Sequence, residues 1–414
     1  MKKLITLPNF FLLVIFCIPF YLIKISLFDV PTNVLELFAM ITIILTITQY
    51  KKQLVEELFK LPKIFVFSCL LIIFGILLSI FFNNNQLTGL GILKGWFIIP
   101  MFFSFAVYII LTSAADIEKI FTSIYLSAAA VATVAIFYKF FGITTYDNRL
   151  SAFYLSPNQL AMYLAPGIFF GLYFLLKAIL QKDSFKKLFL HAVLLIIIFI
   201  SLYYTYSYAA WIAIFISLIF TIFILAPFKK QFFIFTSIIL ICGIFLFISQ
   251  KDSEKMTSLL DFSSRSSIAS RATIWKVSTR LLKDNIIVGI GPGNFQSSYL
   301  AMQKYYPPYL EWAVPQPHNI FLAFWLQAGF LGFIGFLFLL FFIFTTLWQQ
   351  LKGKKNAALT APLLGFFIYS ILHGLVDTTY WKNDLAFLFW ICIFLIIAIK
   401  KSVNKKTGLH THMK

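Results

Sequence analysis

The sequence is dominated by long, uninterrupted apolar runs. Two of them, 64–82 and 232–248, contain no charged residue at all. A helix of about 20 apolar residues crosses a hydrocarbon layer of about 30 Å. Apolar residues make up 61% of the chain and charged residues 12%, whereas soluble domains are about half apolar and about a quarter charged. The sequence therefore predicts an all-α polytopic membrane protein rather than a soluble enzyme.

About twelve spans can be drawn from the hydropathy pattern, at 8–27, 32–49, 64–82, 91–112, 120–141, 159–176, 188–204, 209–226, 232–249, 319–348, 358–376 and 385–399. The first is expected to be a retained span, because no small-residue cleavage site follows it. The predicted organisation is an N-terminal bundle of about nine spans (1–249), an external, helix-containing loop domain (250–318), a C-terminal bundle of about three spans (319–400) and a cytoplasmic basic tail (401–414).

Positive charge is clustered in alternate connections between these spans. Twelve spans place all of these clusters in the cytoplasm with both termini, as the positive-inside rule requires of an inner-membrane protein. The same rule accounts for the net charge of +19 without a nucleic-acid partner. The segments 142–158, 250–318 and 377–384 are then external. The clusters are Lys2/Lys3, Lys51/Lys52/Lys60/Lys63, Lys119, Lys182/Lys186/Lys187, Lys229/Lys230, Lys352/Lys354/Lys355 and Lys400/Lys401/Lys405/Lys406.

The segment 250–318 is by far the longest connection, and long loops in compact proteins are usually functional or disordered. It contains a helical pattern with Ser270 as a candidate N-cap, which places Arg271 and Trp275 on one face. An arginine in a first turn opposes the helix dipole and needs an anionic partner. A diphosphate would suit its planar guanidinium; a surface ion pair with Asp261 or Glu254 is the alternative.

Two further features follow along the loop. The glycine-rich stretch 289–295 lacks the Lys-Ser/Thr ending of a phosphate loop, so we interpret it as a structural turn. The aromatic residues that follow, Tyr306 among them, are either interface anchors or platforms for sugar rings. His318 stands at the mouth of the next span, where it could accept a proton from a hydroxyl or serve only as a capping residue.

Several ionisable residues lie at or near membrane depth, where charge is costly and usually faces an interior cavity or pathway. His373 and Asp377 are four residues apart and could pair on one helical face, although they are too few for a metal site. Arg149 could join an external site. The full set is Lys94, Lys139, Arg149, His373 and Asp377.

Taken in order, the motifs resemble those of the O-antigen ligase and O-antigen polymerase (Wzy-C type) family of bacterial membrane glycosyltransferases. The chain has His318-Asn319, nine residues, then Gly329-Phe330-Leu331-Gly332, similar to the family's H-N-x9-G-x-x-G signature. The other matching elements are Arg271 with Trp275, the turn from Gly289 to Phe295, and Arg149 with Pro157-Asn158. One departure is that Ser207 is followed by Tyr208, where family members often carry arginine.

The resemblance implies glycan transfer at the external face of the inner membrane. The donor would be a glycan on undecaprenyl diphosphate, and the acceptor would be a hydroxyl of a lipid core or a growing polysaccharide. His318 and Arg271 would be the catalytic residues, as general base and stabiliser of the leaving diphosphate, with no metal or other cofactor. The substrate-binding candidates are Arg149, Asn158, Trp275, Asn319, Tyr306 and Lys94, with Arg149 or Lys94 replacing the missing arginine.

Three branches of the family remain open: ligase, polymerase and protein O-oligosaccharyltransferase, which differ in acceptor. From another class, a transporter or lipid-linked glycan flippase also fits about twelve spans. The absence of a convincing inverted repeat and the gathering of distinctive residues on one face favour the enzyme.

Overall fold

The chain is helical almost throughout, as the computed structural model shows. The structure describes residues 6–27, 30–111, 113–226, 229–253, 255–257, 267–307, 314–353 and 356–411. The N-terminal part comprises α1 (Leu7–Phe16), a 3-10 helix (Ile18–Leu22), β1 (Lys24–Leu27), β2 (Val30–Asn33), α2 (Val34–Leu58), α3 (Lys63–Phe81), α4 (Gln86–Ile92), a π-helical turn (Leu93–Ile98), α5 (Ile99–Ile110), α6 (Ala114–Phe140), α7 (Pro157–Leu180), α8 (Phe185–Tyr204), α9 (Tyr208–Leu225) and α10 (Lys230–Gln250). The remainder comprises α11 (Ser267–Asp284), α12 (Phe295–Gln303), α13 (Ile320–Lys352), α14 (Ala357–Gly374) and α15 (Asn383–Thr411).

Within the described residues, 11 helices are long and apolar enough to cross a membrane, α4 and α5 being counted as one through the π-helical turn. The predicted all-α membrane fold is confirmed. The first predicted span, 8–27, is different: α1 has only 10 residues, about 15 Å of helix. Pro19, which has no N–H to donate, lies in the 3-10 helix that follows. An antiparallel hairpin of β1 and β2 then leads into α2.

The helices α3 and α13 pack at very close range through glycine. A Cβ atom added to Gly75 of α3 would lie 2.6 Å from the carbonyl oxygen of Ala328 and closer still to the backbone nitrogen of Gly332. One added to Gly335 would lie 2.9 Å from the carbonyl oxygen of Ser68. Small residues let helix backbones approach closely in membranes. The second glycine of the G-x-x-G element therefore has a packing role.

The first glycine of that element, Gly329, breaks α13 with φ 66° and ψ −177°, a conformation open to glycine almost alone. The break frees backbone groups that the turn after α11 then binds. Ile290 N–H donates to Leu326 O at 2.7 Å, and Phe330 N–H donates to Ile287 O at 2.9 Å. The turn glycines also have positive φ. The prediction that this stretch is a structural turn is confirmed.

The helices α11 and α12 enclose a second, smaller apolar core, which includes Ile274, Phe295 and Tyr299 together with Leu326 of α13. Because successive spans run in opposite directions, the connections 141–156, 251–319 and 375–382 all lie at one end of the bundle. The opposite end joins the termini of α2 and α5 to α15, where the Glu57 carboxylate contacts Lys401 Nζ at 2.6 Å and accepts a hydrogen bond from Tyr108 at 2.9 Å.

Substituting Gly75 with alanine should destabilise the bundle. The added methyl would meet the α13 backbone, and overpacking of this kind costs about 1–3 kcal/mol, more than the helix-propensity gain of about 1 kcal/mol. Gly91→Ala is the matched control, because nothing lies within 4 Å of its added Cβ. Thermal unfolding in detergent should show a lower midpoint for Gly75→Ala alone. Equal midpoints would show that the glycine contact does not stabilise the pair.

Candidate functional site

The centre of the candidate site is the carboxylate of Asp377, whose side chain is only 4% exposed. One oxygen, Oδ1, lies 3.1 Å from Nδ1 of His318 and accepts the backbone N–H of Thr378 at 2.9 Å. The other oxygen, Oδ2, accepts Nδ2–H of Asn158 at 3.1 Å and lies 3.7 Å from Nη2 of Arg271. Residues from the start of α7 and from the connections 251–319 and 375–382 therefore meet at one side chain.

The electrostatics of this group keep Asp377 ionised. Burial by itself would raise the pKa of Asp377, but His318 and then Arg271 outweigh it and hold that pKa far below its ordinary value. An ionised carboxylate can only accept hydrogen bonds. In the neutral imidazole, Nδ1 of His318 must therefore carry the proton, and Nε2 is left as the basic nitrogen.

The backbone around His318 is fixed from several sides. Its φ is +47°, a left-handed conformation that few non-glycine residues adopt and that is found disproportionately at functional sites. The indole N–H of Trp275 donates to the carbonyl oxygen of His318 at 3.1 Å. Asn319 caps α13 by accepting two backbone N–H groups and donates to Leu375 O at 2.9 Å. Trp275 and Asn319 thus position the histidine.

Arg271 reaches across from α11 to the connection after α14. Its Nε–H donates to Val376 O at 2.7 Å, and the side chain is 16% exposed. The predicted N-cap at Ser270 is wrong: α11 begins at Ser267, and Ser270 is buried inside the helix. The alternative partners Asp261 and Glu254 lie outside the described residues, but the anion that Arg271 faces is Asp377.

Arg149 adds a second guanidinium, 11% exposed, through Asn158. Its Nη2–H donates to Asn158 Oδ1 at 2.8 Å and its Nε–H donates to Thr205 O at 2.8 Å, while Asp147 lies 3.7 Å away. Asn158 therefore links Arg149 to Asp377. Burial, and to a lesser degree the charge of Arg271, lowers the pKa of Arg149, whereas Asp147 raises it. The two guanidinium groups are close enough to repel each other.

A third basic group, Lys255, was not among the sequence candidates. Its Nζ lies 5.6 Å from the ring centroid of Tyr208, the residue that stands where the family often carries arginine. Burial, and then the charges of Arg149 and Arg271, lower the pKa of Lys255 to about 7, although Asp147 opposes the shift. The only sequence signal for this lysine was the departure at Tyr208.

Other sequence candidates lie elsewhere. Lys94 pairs with Glu36 at 3.0 Å and donates to Pro31 O at 2.8 Å, and none of its described contacts joins it to Asp377. The suggested pair of His373 with Asp377 is not formed, since α14 ends at Gly374 and His373 hydrogen-bonds Tyr369 at 2.8 Å. The four-residue spacing of His373 and Asp377 in the sequence therefore suggested the wrong partner for Asp377.

Two aromatic candidates, Trp275 and Tyr306, line a groove of about 600 Å³ along α11. The indole N–H that Trp275 gives to His318 places one end of this groove beside the histidine. In the parts of the chain that the structure describes, no group of three or more His, Cys, Asp or Glu side chains is arranged to hold a metal ion.

The fold is that of a multi-pass membrane protein, and at one end of it a histidine–carboxylate pair lies among basic side chains. Residues 193–337, from α8 to α13, match the family model described as O-antigen ligase. This match confirms the resemblance of the motifs to the O-antigen ligase family. A comparison with curated proteins found no match. The match, together with the apolar helices, indicates a multi-pass bacterial membrane protein, and the family implies an enzyme that transfers glycosyl groups.

Replacing Asp377 with asparagine should destabilise the protein, because it removes the anion that buried basic groups face. Breaking a buried ion pair from one side costs about 3–5 kcal/mol. Asp183→Asn is the control, since its pair with Lys187 is much more exposed than Asp377 and should be worth at most about 1 kcal/mol. Thermal unfolding of both purified variants measures the difference. A wild-type midpoint for Asp377→Asn would show that the carboxylate is not needed to hold the cluster.

Proposed function

We propose that the chain transfers a glycan from an undecaprenyl-diphosphate donor to an acceptor hydroxyl at the external face of the bacterial inner membrane. The observation that carries the proposal is the buried Asp377, which contacts both His318 and Arg271. It brings a candidate base and a candidate anion-binding group, far apart in sequence, to one place. The match to the O-antigen ligase family supports glycan transfer in O-antigen or lipopolysaccharide assembly as the general activity.

The donor diphosphate would bind to the basic side of this cluster. Arg271, Arg149 and Lys255 face two described carboxylates, those of Asp377 and Asp147. Guanidinium groups pair with phosphate oxygens through parallel hydrogen bonds. The 3.7 Å separation of Arg271 from Asp377 is longer than a hydrogen bond, so Nη2–H remains able to donate to a phosphate.

His318 would act as general base through Nε2. As the acceptor oxygen attacks the anomeric carbon, its proton passes to Nε2 and the bond from that carbon to the diphosphate oxygen breaks. The electron pair leaves with undecaprenyl diphosphate. Asp377 would stabilise the imidazolium that forms, and the basic side chains would stabilise the charge that develops on the leaving group. The residues that carry these roles require no metal.

The assignment of faces follows from charge. The end of the bundle opposite the site carries lysines such as Lys60, Lys119 and Lys187, and lysine-rich ends of membrane helices remain in the cytoplasm. The end that holds Asp377 would then be external, where lipid-linked glycans are polymerised or transferred. Both termini would be cytoplasmic if α1 and the 3-10 helix together occupy the depth of one span.

His318→Ala should reduce glycan transfer by about 10²–10⁴-fold, the usual contribution of a general base, and Arg271→Ala by about 10²–10³-fold through lost charge stabilisation. Transfer should be measured with membranes that contain equal amounts of each variant. His191→Ala, which changes a histidine of α8 outside the cluster, is the control. Wild-type product from either His318→Ala or Arg271→Ala at equal expression would refute this mechanism.

Because of Lys255, the efficiency of glycan transfer should fall at alkaline pH. A lysine binds an anion only while it is protonated, so kcat/KM for the donor should fall as pH rises above about 7. This parameter reports ionisations of the free enzyme. Lys255→Arg, whose side chain stays charged, should retain activity at about pH 9, and Lys255→Met should lower kcat/KM below about pH 7. Profiles of wild type and Lys255→Arg that superimpose would exclude Lys255 from donor binding.

A further inference from the structure

The groove along α11 is positively charged, and most of this charge does not stabilise the helix. Lys276, Arg280 and Lys283 line one side of it with exposed side chains. Their spacing of four and three residues places them on one helical face. Like charges at this spacing destabilise a helix, although Lys283 in the last turn is favoured by the helix dipole. Among the described carboxylates, only Asp284 pairs with the group, at 3.0 Å from Arg280.

The groove also has an aromatic component. Trp275 and Tyr306 contribute half-buried side chains to its lining, and such rings offer a large flat apolar face together with a polar edge. Sugar rings also have one apolar face, against which an aromatic ring can stack. The combination of aromatic faces with basic groups therefore fits a carbohydrate that carries negative charge better than a neutral one.

The groove begins at the candidate site and leads away from it. Trp275, which binds His318 O, is at one end, and Lys283 lies two helical turns further along α11. From Trp275 to Lys283 the helix rises about 12 Å, enough for more than one sugar unit. A glycan whose reacting end lies at His318 could therefore continue along this groove.

We propose that the groove lined by Trp275, Tyr306, Lys276, Arg280 and Lys283 binds an anionic glycan, one that carries carboxylate or phosphate groups on its sugars. This proposal rests on the proposed function and specifies the chemical class of one of its substrates. The anionic glycan is either the transferred chain of the donor or the acceptor, because both must reach His318.

The packing of α11 favours a glycan over lipid headgroups. Helices that lie on a bilayer bury an exposed apolar face in it. In α11 the apolar residues Ile274, Val277 and Leu281 are instead buried in the core that the helix shares with α12 and α13. The basic groove lies on the polar side of the helix, which is suited to a solvated ligand.

Binding should be tested with the full chain in nanodiscs of neutral lipid, using tetragalacturonate as the anionic probe and maltotetraose as the neutral one. We expect tetragalacturonate to bind at least tenfold more tightly than maltotetraose, with an affinity that falls as salt increases. The combined change K276Q/R280Q/K283Q should weaken tetragalacturonate binding at least tenfold. K182Q/K186Q/K187Q, the same charge change at the opposite end of the bundle, should leave it unaltered.

Kinetics then identify the source of the anionic glycan. An increased KM for the lipid-linked donor alone in K276Q/R280Q/K283Q would assign the groove to the donor chain, and an increased KM for the acceptor alone would assign it to the acceptor. Equal binding of the two probes, or wild-type binding by this variant, would overturn the proposal. Binding of short-chain phosphatidylglycerol to the groove in place of tetragalacturonate would also overturn the proposal. His318→Ala should still bind tetragalacturonate, which separates failure of the groove from failure of the transfer mechanism.

Discussion

The interaction on which the site depends is the burial of one carboxylate among groups that are positively charged or donate hydrogen bonds. Asp377 holds Arg271 and Asn158 through one oxygen and His318 through the other. Burial of a charge is expensive unless it is paired and hydrogen-bonded, so each partner is needed to keep the others in place. The same contacts set the tautomer of His318 and leave Arg271 partly available. Structural stabilisation and the proposed chemistry therefore use the same few atoms.

Glycine residues fix the position of this charged cluster by allowing close backbone contacts. The close contact of Gly75 with Gly332 fixes α3 against α13, and the break at Gly329 exposes backbone groups that bind the turn after α11. These contacts fix the end of α11, and with it Arg271 and Trp275, relative to the start of α13, where His318 lies. The G-x-x-G element begins 11 residues after His318 and contributes no side chain to the candidate site. Gly329 orients α11 by backbone contact and Gly332 packs against α3, and at both positions a side chain would be too large.

The fold could be predicted wherever hydropathy alone determines structure. Each apolar run from 32–49 onward became a helix, because an apolar segment of that length satisfies its backbone groups internally only as a helix. The first span could not be predicted correctly, because the 3-10 turn at Pro19 and the hairpin depend on local backbone geometry. In the candidate site, the motifs predicted Arg271 and His318, which the structure places beside the same carboxylate. Asp377 was linked to the wrong partner, since its spacing from His373 suggested a helix that in fact ends at Gly374. Lys255 could not be found, because its approach to Tyr208 depends on how the chain after α10 folds back.

Lys255 also changes how the site responds to the absence of an arginine at the position of Tyr208. An arginine would remain charged at any accessible pH, whereas burial beside Arg149 and Arg271 lowers the pKa of Lys255 to about 7. A bound diphosphate would reverse that effect, because opposite charge favours the protonated form. Lysine at this place would thus take up a proton when the anion binds and release it when the anion leaves. The three basic groups would then repel each other less between turnovers than three permanent cations would, and all three would be charged when a diphosphate is bound.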